Sequence, residues 1–213
     1  MSVNLQTELK SVILDSYAPC QFFGQCREAR WKPESGHIPR GFIGATGSLD
    51  EVELVMVFAE PGHPHPDERY DALASADALL EASMRHAYKS FRDGQDMFHR
   101  NVRWFIDQVY PELEFDAQLR RVWMTEGRLC SIDNEIGGTT DKTCAKHYLR
   151  RQIGMFPNAV VVGFGGKAQK YLSGLGLDFV SAYALAPPGA NHLPARPSWD
   201  AAVAAVRSRR HSL

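Results

Sequence analysis

The sequence predicts an α/β protein, a three-layer α/β/α sandwich with a central, mainly parallel four-stranded sheet. Short apolar runs rich in β-branched residues recur along the chain, and segments with helical periodicity separate them. Strands that alternate with helices in this way form a parallel sheet with helices packed on both faces. The 213 residues show no internal repeat and no convincing linker. We therefore expect a single domain spanning 1–213.

The first part of the chain predicts a helix, a long loop and a buried strand. Apolar residues recur at helical spacing over residues 3–16, and residues 17–48 are rich in Gly, Pro and Cys. Residues 52–58, VELVMVF, have the apolar, β-branched composition of a strand buried on both faces. This strand ends at once in the polar loop AEPGHPHPDE.

The rest of the chain continues the alternation. Further strands are predicted at residues 121–125, 158–163 and 179–184. The periodic apolar positions predict further helices, which cover residues 72–91, 97–109, 143–155, 167–175 and 198–209.

Three loops carry most of the polar side chains that could perform chemistry. They span residues 60–68, 126–130 and 186–197, and each follows a predicted strand. Because ligands of open parallel sheets bind beyond the carboxyl ends of the strands, we expect these loops to meet in one crevice.

Composition excludes some classes of protein. The chain is 44% hydrophobic and 23% charged, with a formal net charge of -1. These values are typical of an ordinary globular protein and argue against a broadly basic nucleic-acid coat, although a local basic patch can still serve a cleft. The sequence has neither the apolar run of a membrane span nor the pattern of a signal peptide. We expect a cytoplasmic protein with no membrane partner.

All four cysteines fall into two close pairs, Cys20 with Cys26 and Cys130 with Cys144. Cysteines that pair in polar loops indicate ligation or crosslinking, because buried structural cysteines scatter along apolar faces instead. The alternatives are an iron–sulfur cluster, a zinc ion or two disulfides. A cytoplasmic location disfavours disulfides.

Four stretches give the chain a resemblance to the uracil-DNA glycosylase superfamily, especially its iron–sulfur-containing branches. VMVFAEPG (residues 55–62) resembles the first motif of the family, and TEGRLC (125–130) resembles its TNVVKC stretch. Residues 144–174, CAKHYLRRQIGMFPNAVVVGFGGKAQKYLSG, are similar to the family's block of a cysteine, a helix, a valine-rich strand and a glycine-alanine turn. APPGAN (186–191) lies where the family has its second motif, which typically begins HPS.

The resemblance implies a monomeric glycosylase that acts on damaged DNA. Such enzymes hydrolyse the bond between deoxyribose and uracil or another deaminated base, after the nucleotide has left the duplex stack. The resemblance also implies that the four cysteines hold a 4Fe-4S cluster. The first pair is more widely spaced here than in the family, which leaves zinc and disulfides open. A non-catalytic binder of damaged or abasic DNA with the same fold is the alternative function, and a metal-bound enzyme acting on free nucleotides is a third.

The first motif supplies the main catalytic candidate, Glu60. A carboxylate there can stabilise the positive charge that develops on the sugar, or orient the attacking water. The alternative is a loop acid that caps the next helix. By the same resemblance Ala59, Gly62 and His63 are expected to contact the substrate. Tyr70 and Phe98 are candidates for stacking on the base.

Glu126 departs from the family, which has an asparagine at this position that reads the base edge. An ionised carboxylate accepts a hydrogen bond from N3 of uracil but cannot donate one to O4. Glu126 therefore suggests a different base or a rearranged pocket, unless the carboxyl is protonated. The alternative role is a salt bridge to Arg128.

The second motif also departs, because Ala186 replaces a histidine that donates a hydrogen bond to the leaving base. His192 is a candidate for this catalytic role, and Asn191 is a candidate substrate contact. Leu193 is a candidate wedge that fills the gap left by a flipped nucleotide, with Arg196 on a phosphate. The alternatives are a solvent-facing histidine and an apolar residue that anchors the loop.

Overall fold

The computed structural model describes residues 5–17, 19–26, 29–131 and 142–210, and five strands form one sheet there. They are β1 (Ile43–Gly44), β2 (Leu54–Phe58), β3 (Val122–Glu126), β4 (Val160–Phe164) and β5 (Val180–Ala182). The order across the sheet is β1-β3-β2-β4-β5. Strands β3, β2, β4 and β5 run parallel to one another, whereas β1 runs antiparallel to β3.

The predicted α/β sandwich is confirmed, but the prediction of four strands is wrong. The additional strand, β1, lies within the segment predicted as a long loop. It has only two residues, too few to show a strand pattern, and it forms because Ile43 and Gly44 pair with Met124 and Trp123. Gly44 has a φ of 110°, and a Cβ there would lie 1.9 Å from the Val122 carbonyl oxygen. A glycine therefore lets β1 approach β3 closely.

Seven α-helices lie in the described part of the chain. They are α1 (Thr7–Leu14), α2 (Ala76–Asp93), α3 (Met97–Val109), α4 (Phe115–Arg121), α5 (Arg150–Ile153), α6 (Gly166–Gly174) and α7 (Ala195–Arg210), and a π-helical turn at Ala145–Leu149 leads into α5. Within the described part of the chain, no helix has both the length and the apolar character that a membrane span needs.

Several helix boundaries differ from the prediction for local reasons. α4 was not predicted from the sequence, and its seven residues directly precede β3. α2 begins later than predicted because the Ser75 hydroxyl accepts a hydrogen bond from the Ala78 backbone N–H and caps the helix. α3 begins where predicted, with the Asp96 carboxylate as its cap.

Alternating residues of the buried strands serve two separate cores. In β2, Val55 and Val57 pack in the core that α1, α5 and α6 cover, while Leu54 and Met56 pack in the core that α3, α4 and α7 cover. α2 contributes to both cores. The sheet is therefore the middle of three layers, and the carboxyl ends of its parallel strands open at one edge.

Candidate functional site

A cavity of about 380 Å³ lies at the carboxyl ends of the parallel strands. The segment after β2, the last residue of β3, the turn after β4 and the segment after β5 all line it. The expected crevice is therefore present, and its size is within the range of small-molecule sites. The lining residues that bear on chemistry are Arg40, Glu60, His63, His65, Asp96, His99, Glu126 and Lys167.

Glu60 lies two residues beyond β2, and its side chain is only 4% exposed. Its Oε1 forms a salt bridge with the Nζ of Lys167, while Oε2 is buried and has no hydrogen-bond partner among the described residues. α6 begins at this edge of the sheet, and its positive N-terminal end also favours an anion. The carboxylate is therefore held in place on one oxygen and available to a ligand on the other.

Glu126 ends β3 and lies opposite Phe58 in the parallel register. Burial raises the pKa of the Glu126 carboxyl well above its ordinary value, and the negative charge of Glu60 raises this pKa further, against a smaller lowering by Arg40. The neutral form of the carboxyl is therefore favoured, and in that form it presents one O–H donor and one carbonyl acceptor. Its Oε2 is buried without a hydrogen-bond partner in the described structure.

Aromatic rings form the apolar part of the cavity wall. The ring of Phe58 contacts Phe98 edge-on at a centroid separation of 5.1 Å and lies at a small angle to Phe164 at 5.4 Å. Phe91 extends the group through Phe98. Rings at these separations offer apolar surface against which a planar ring can pack.

Polar contacts hold the segment after β2 in place. Arg40 donates a hydrogen bond to the Gly62 carbonyl, and its Nε lies 3.5 Å from Oε1 of Glu68. Tyr70 donates a hydrogen bond of 2.7 Å to the same oxygen. Tyr70 is buried in the core rather than on the cavity wall, so the structure gives it a supporting position instead of the stacking position considered from sequence.

The other residues of the first motif do line the cavity. Ala59, Gly62 and His63 are all part of its wall. A Cβ at Gly62 would have no atom within 4 Å, so the space beside this glycine is open to a ligand.

The second-motif candidates lie away from the cavity. Ala186 lines it, but Asn191, His192, Leu193 and Arg196 do not. The His192 ring is exposed and lies 6.3 Å from the Tyr183 ring, and Leu193 is 95% exposed. The Arg196 guanidinium stacks 3.6 Å above the Trp104 ring and forms an ion pair with Asp200. The structure thus brings Glu60 and Glu126 together but leaves His192 apart from them.

Sequence reasoning missed several polar residues of the site, among them Lys167 and Arg40. Lys167 follows the glycine turn after β4, and the rule about strand ends would have found it if applied to that turn as well. Arg40 comes from the long N-terminal loop, where no local pattern marks it.

The four cysteines line a second, much smaller cavity of about 20 Å³. None of them forms a disulfide. Burial raises the pKa of the Cys144 thiol to about 12 and raises that of Cys130 well above its ordinary value. The Leu129 backbone N–H donates to the Cys144 sulfur over 3.3 Å, and Arg128 donates to the Cys26 sulfur over 3.1 Å. Four soft donors thus surround one space.

Among the described residues, the one group of at least three His, Cys, Asp or Glu ligand atoms within 4.8 Å of one another is His65, Asp96 and His99. The four cysteine sulfurs line one cavity without forming such a group. Thiolate sulfurs bind both zinc and iron–sulfur clusters, so the cysteines suit either.

Comparisons with protein-family models and with curated proteins give no match to this chain.

The state of Glu126 predicts a pH effect on stability. The pKa of Glu126 is higher in the folded protein than in the unfolded chain. Its contribution to the free energy of unfolding is therefore fully present below the unfolded-state pKa, and it is lost as pH rises toward the folded-state pKa. Replacing Glu126 by Gln removes this loss. Between about pH 5 and pH 8, we expect wild-type protein to lose free energy of unfolding relative to E126Q, by at most about 1.4 kcal/mol per pH unit.

Urea unfolding of both proteins across this range measures the effect. The exposed Glu34, changed to Gln, is the matched control and should follow the wild type. Parallel pH profiles for wild type and E126Q would mean that Glu126 is ionised in the folded protein.

Proposed function

We propose that the protein is a DNA glycosylase that hydrolyses the N-glycosidic bond of uracil or a similar deaminated base in DNA. The observation that carries this proposal is the joint presence of Glu60 and Glu126 in one cavity at the strand ends, where burial raises the pKa of Glu126. One carboxyl can serve the chemistry at the sugar while the other reads the base. The sequence resemblance, from which these two roles are taken, supports the same proposal.

In its neutral form, Glu126 can both accept and donate a hydrogen bond at the base edge, which an ionised carboxylate cannot do. Uracil presents the N3–H donor beside the O4 acceptor. A protonated carboxyl accepts from the first and donates to the second, as an asparagine amide does. Burial next to Glu60 favours the protonated carboxyl, which can donate to O4 where an ionised carboxylate cannot. The aromatic wall would pack against the face of the flipped base.

Glu60 has the position and the electrostatics for hydrolysis. As the glycosidic bond breaks, positive charge develops on the sugar and negative charge on the departing base. The unpaired Oε2 of Glu60 would face the cationic sugar or orient the attacking water. Lys167 holds Glu60 through Oε1 and adds a positive charge that favours the leaving anion.

The chain would bring DNA to the cavity through the segment after β5. Leu193 is fully exposed there, as a wedge residue must be before it enters a duplex. Arg196 already stacks on Trp104, so its guanidinium is held in a defined place on the same surface. We propose damaged DNA as the partner of a monomeric, cytoplasmic protein.

The four cysteines are proposed to hold a 4Fe-4S cluster. Their soft sulfur donors line one cavity and suit iron–sulfur and zinc chemistry alike, and the sequence resemblance favours the cluster. Such a cluster would crosslink the N-terminal loop, the segment after β3 and the helix that begins after residue 142. Its role would be structural, beside the cavity rather than within it.

One observation favours a second candidate, a binder of damaged or abasic DNA without catalysis. Ala186 lines the cavity where the family has its histidine, and His192 lies outside. Without a donor from that loop, the leaving base relies on Glu126 and Lys167. Measurements of cleavage separate the two candidates.

Glu60 is the residue whose loss should abolish cleavage. We expect E60Q to release base from uracil-containing oligonucleotides at least about 100-fold more slowly than wild type, because an amide cannot stabilise the cationic sugar. Alkali-induced strand breaks measure the rate, with hypoxanthine, xanthine and abasic oligonucleotides tested in parallel. The control is E34Q, which should cleave as wild type does.

The cleavage and binding results separate the glycosylase from the non-catalytic binder. Tight binding of wild type to an abasic oligonucleotide, with no strand break on any modified base, would favour the non-catalytic binder. Equal cleavage by E60Q and wild type, with equal melting temperatures, would remove Glu60 from the mechanism.

The absorption spectrum tests the cluster. Protein purified without oxygen should be brown, with a broad band at roughly 400 nm from thiolate-bound iron. The band should be lost in Cys144→Ser and retained in Ser131→Ala, a change beside Cys130 that removes no sulfur. A colourless protein with bound zinc would contradict the cluster and support the alternative ion.

A further inference from the structure

Two histidines and an aspartate converge on the cavity wall at the start of α3. Asp96 directs Oδ1 toward Nδ1 of His99 at 2.8 Å and Oδ2 toward Nε2 of His65 at 3.5 Å. One ligand atom from each side chain lies within 4.8 Å of the other two. All three side chains line the same cavity as Glu60.

Helix capping does not explain the whole arrangement. Capping needs one oxygen of Asp96, and Oδ1 supplies it by accepting the His99 backbone N–H at 3.0 Å. Oδ2 points instead to His65, which comes from the segment after β2, distant in sequence. Two segments thus contribute nitrogen and oxygen donors to one point.

We propose that His65, Asp96 and His99 bind one divalent transition-metal ion, for which Zn²⁺ is the best fit. Two imidazoles and one carboxylate are donors that zinc prefers, and three protein ligands leave a coordination position open. That position faces the cavity, where water or a phosphate oxygen of a bound nucleotide completes the coordination. The site is separate from the four cysteines and does not depend on base excision.

The charges around the three ligands suit a cation. The start of α3 carries partial positive charge, which opposes a metal ion, but the full negative charge of Asp96 offsets it. Glu68 adds a second carboxylate nearby, since its Oε2 accepts the His65 backbone N–H at 3.3 Å.

Neighbouring rings hold the ligands in place. The Phe91 ring packs against the His99 imidazole at 4.6 Å, and the His86 ring lies 6.2 Å from that of His65. A ligand whose orientation is fixed before binding loses less entropy when the metal arrives.

Zinc titration of the full chain by calorimetry tests the site, with the cysteines unchanged in every variant. Wild type should bind one more equivalent of Zn²⁺ than His65→Asn or Asp96→Asn. Asparagine is as good a helix cap as aspartate, so D96N should keep α3 while weakening metal binding. His63→Asn is the matched control, because His63 lines the cavity outside the group, and it should bind zinc as wild type does.

Imidazole resonances give a second readout that is independent of activity. Added Zn²⁺ should shift the His65 and His99 signals and leave those of His192 unchanged. Equal zinc stoichiometry in wild type, H65N and D96N would overturn the proposal, as would unshifted His65 and His99 signals. Neither result would bear on whether the protein cleaves uracil from DNA.

Discussion

The parallel pairing of β2 with β3 places two carboxyl groups at one buried edge of the sheet. Phe58 lies opposite Glu126 in the register, and Glu60 follows two residues later. Two such groups cannot both carry a charge at low cost, because like charges repel strongly away from water. Lys167 pairs with Glu60 in a direct salt bridge, whereas burial and the charge of Glu60 raise the pKa of Glu126 and favour its protonated form. A protonated Glu126 would give the cavity a neutral hydrogen-bond donor beside an anion.

The segment that carries Glu126 into the cavity also carries Cys130 to the cysteine group. Its backbone continues the pairing beyond the strand, since the N–H groups of Gly127 and Arg128 donate to the carbonyls of Phe58 and Ala59. Arg128 then reaches the sulfur of Cys26. A cluster bound by the cysteines would therefore fix one end of the segment that holds Glu126. In this interpretation the cofactor supports the geometry of the site without taking part in the reaction.

The sequence was most informative where a pattern is local. β2 and β4 are short runs buried on both faces, so their composition alone marks them. β1 was missed because two residues form a strand only through their partner in β3. The placement of Glu60 and Glu126 at the same edge followed from the topology of parallel strands. The contribution of Arg40 did not, because it depends on how a long loop folds back.

The raised pKa of Glu126 is the property that local sequence could least predict. It results from burial and from the charge of Glu60, which are both tertiary effects. The separation of His192 from the cavity is a similar case. Its position in the chain suggested a catalytic role, but the segment after β5 turns its exposed ring toward Tyr183. Ala186 occupies the wall instead.

The most direct test of a neutral Glu126 is the ¹³C chemical shift of its side-chain carboxyl, assigned by its absence in E126Q and followed from about pH 5 to pH 8. We predict that the carboxyl remains protonated at neutral pH, and that E60Q lowers the pH at which it ionises because a repelling charge has gone. A Glu126 carboxyl that is ionised at neutral pH in wild type, with no response to E60Q, would contradict the account.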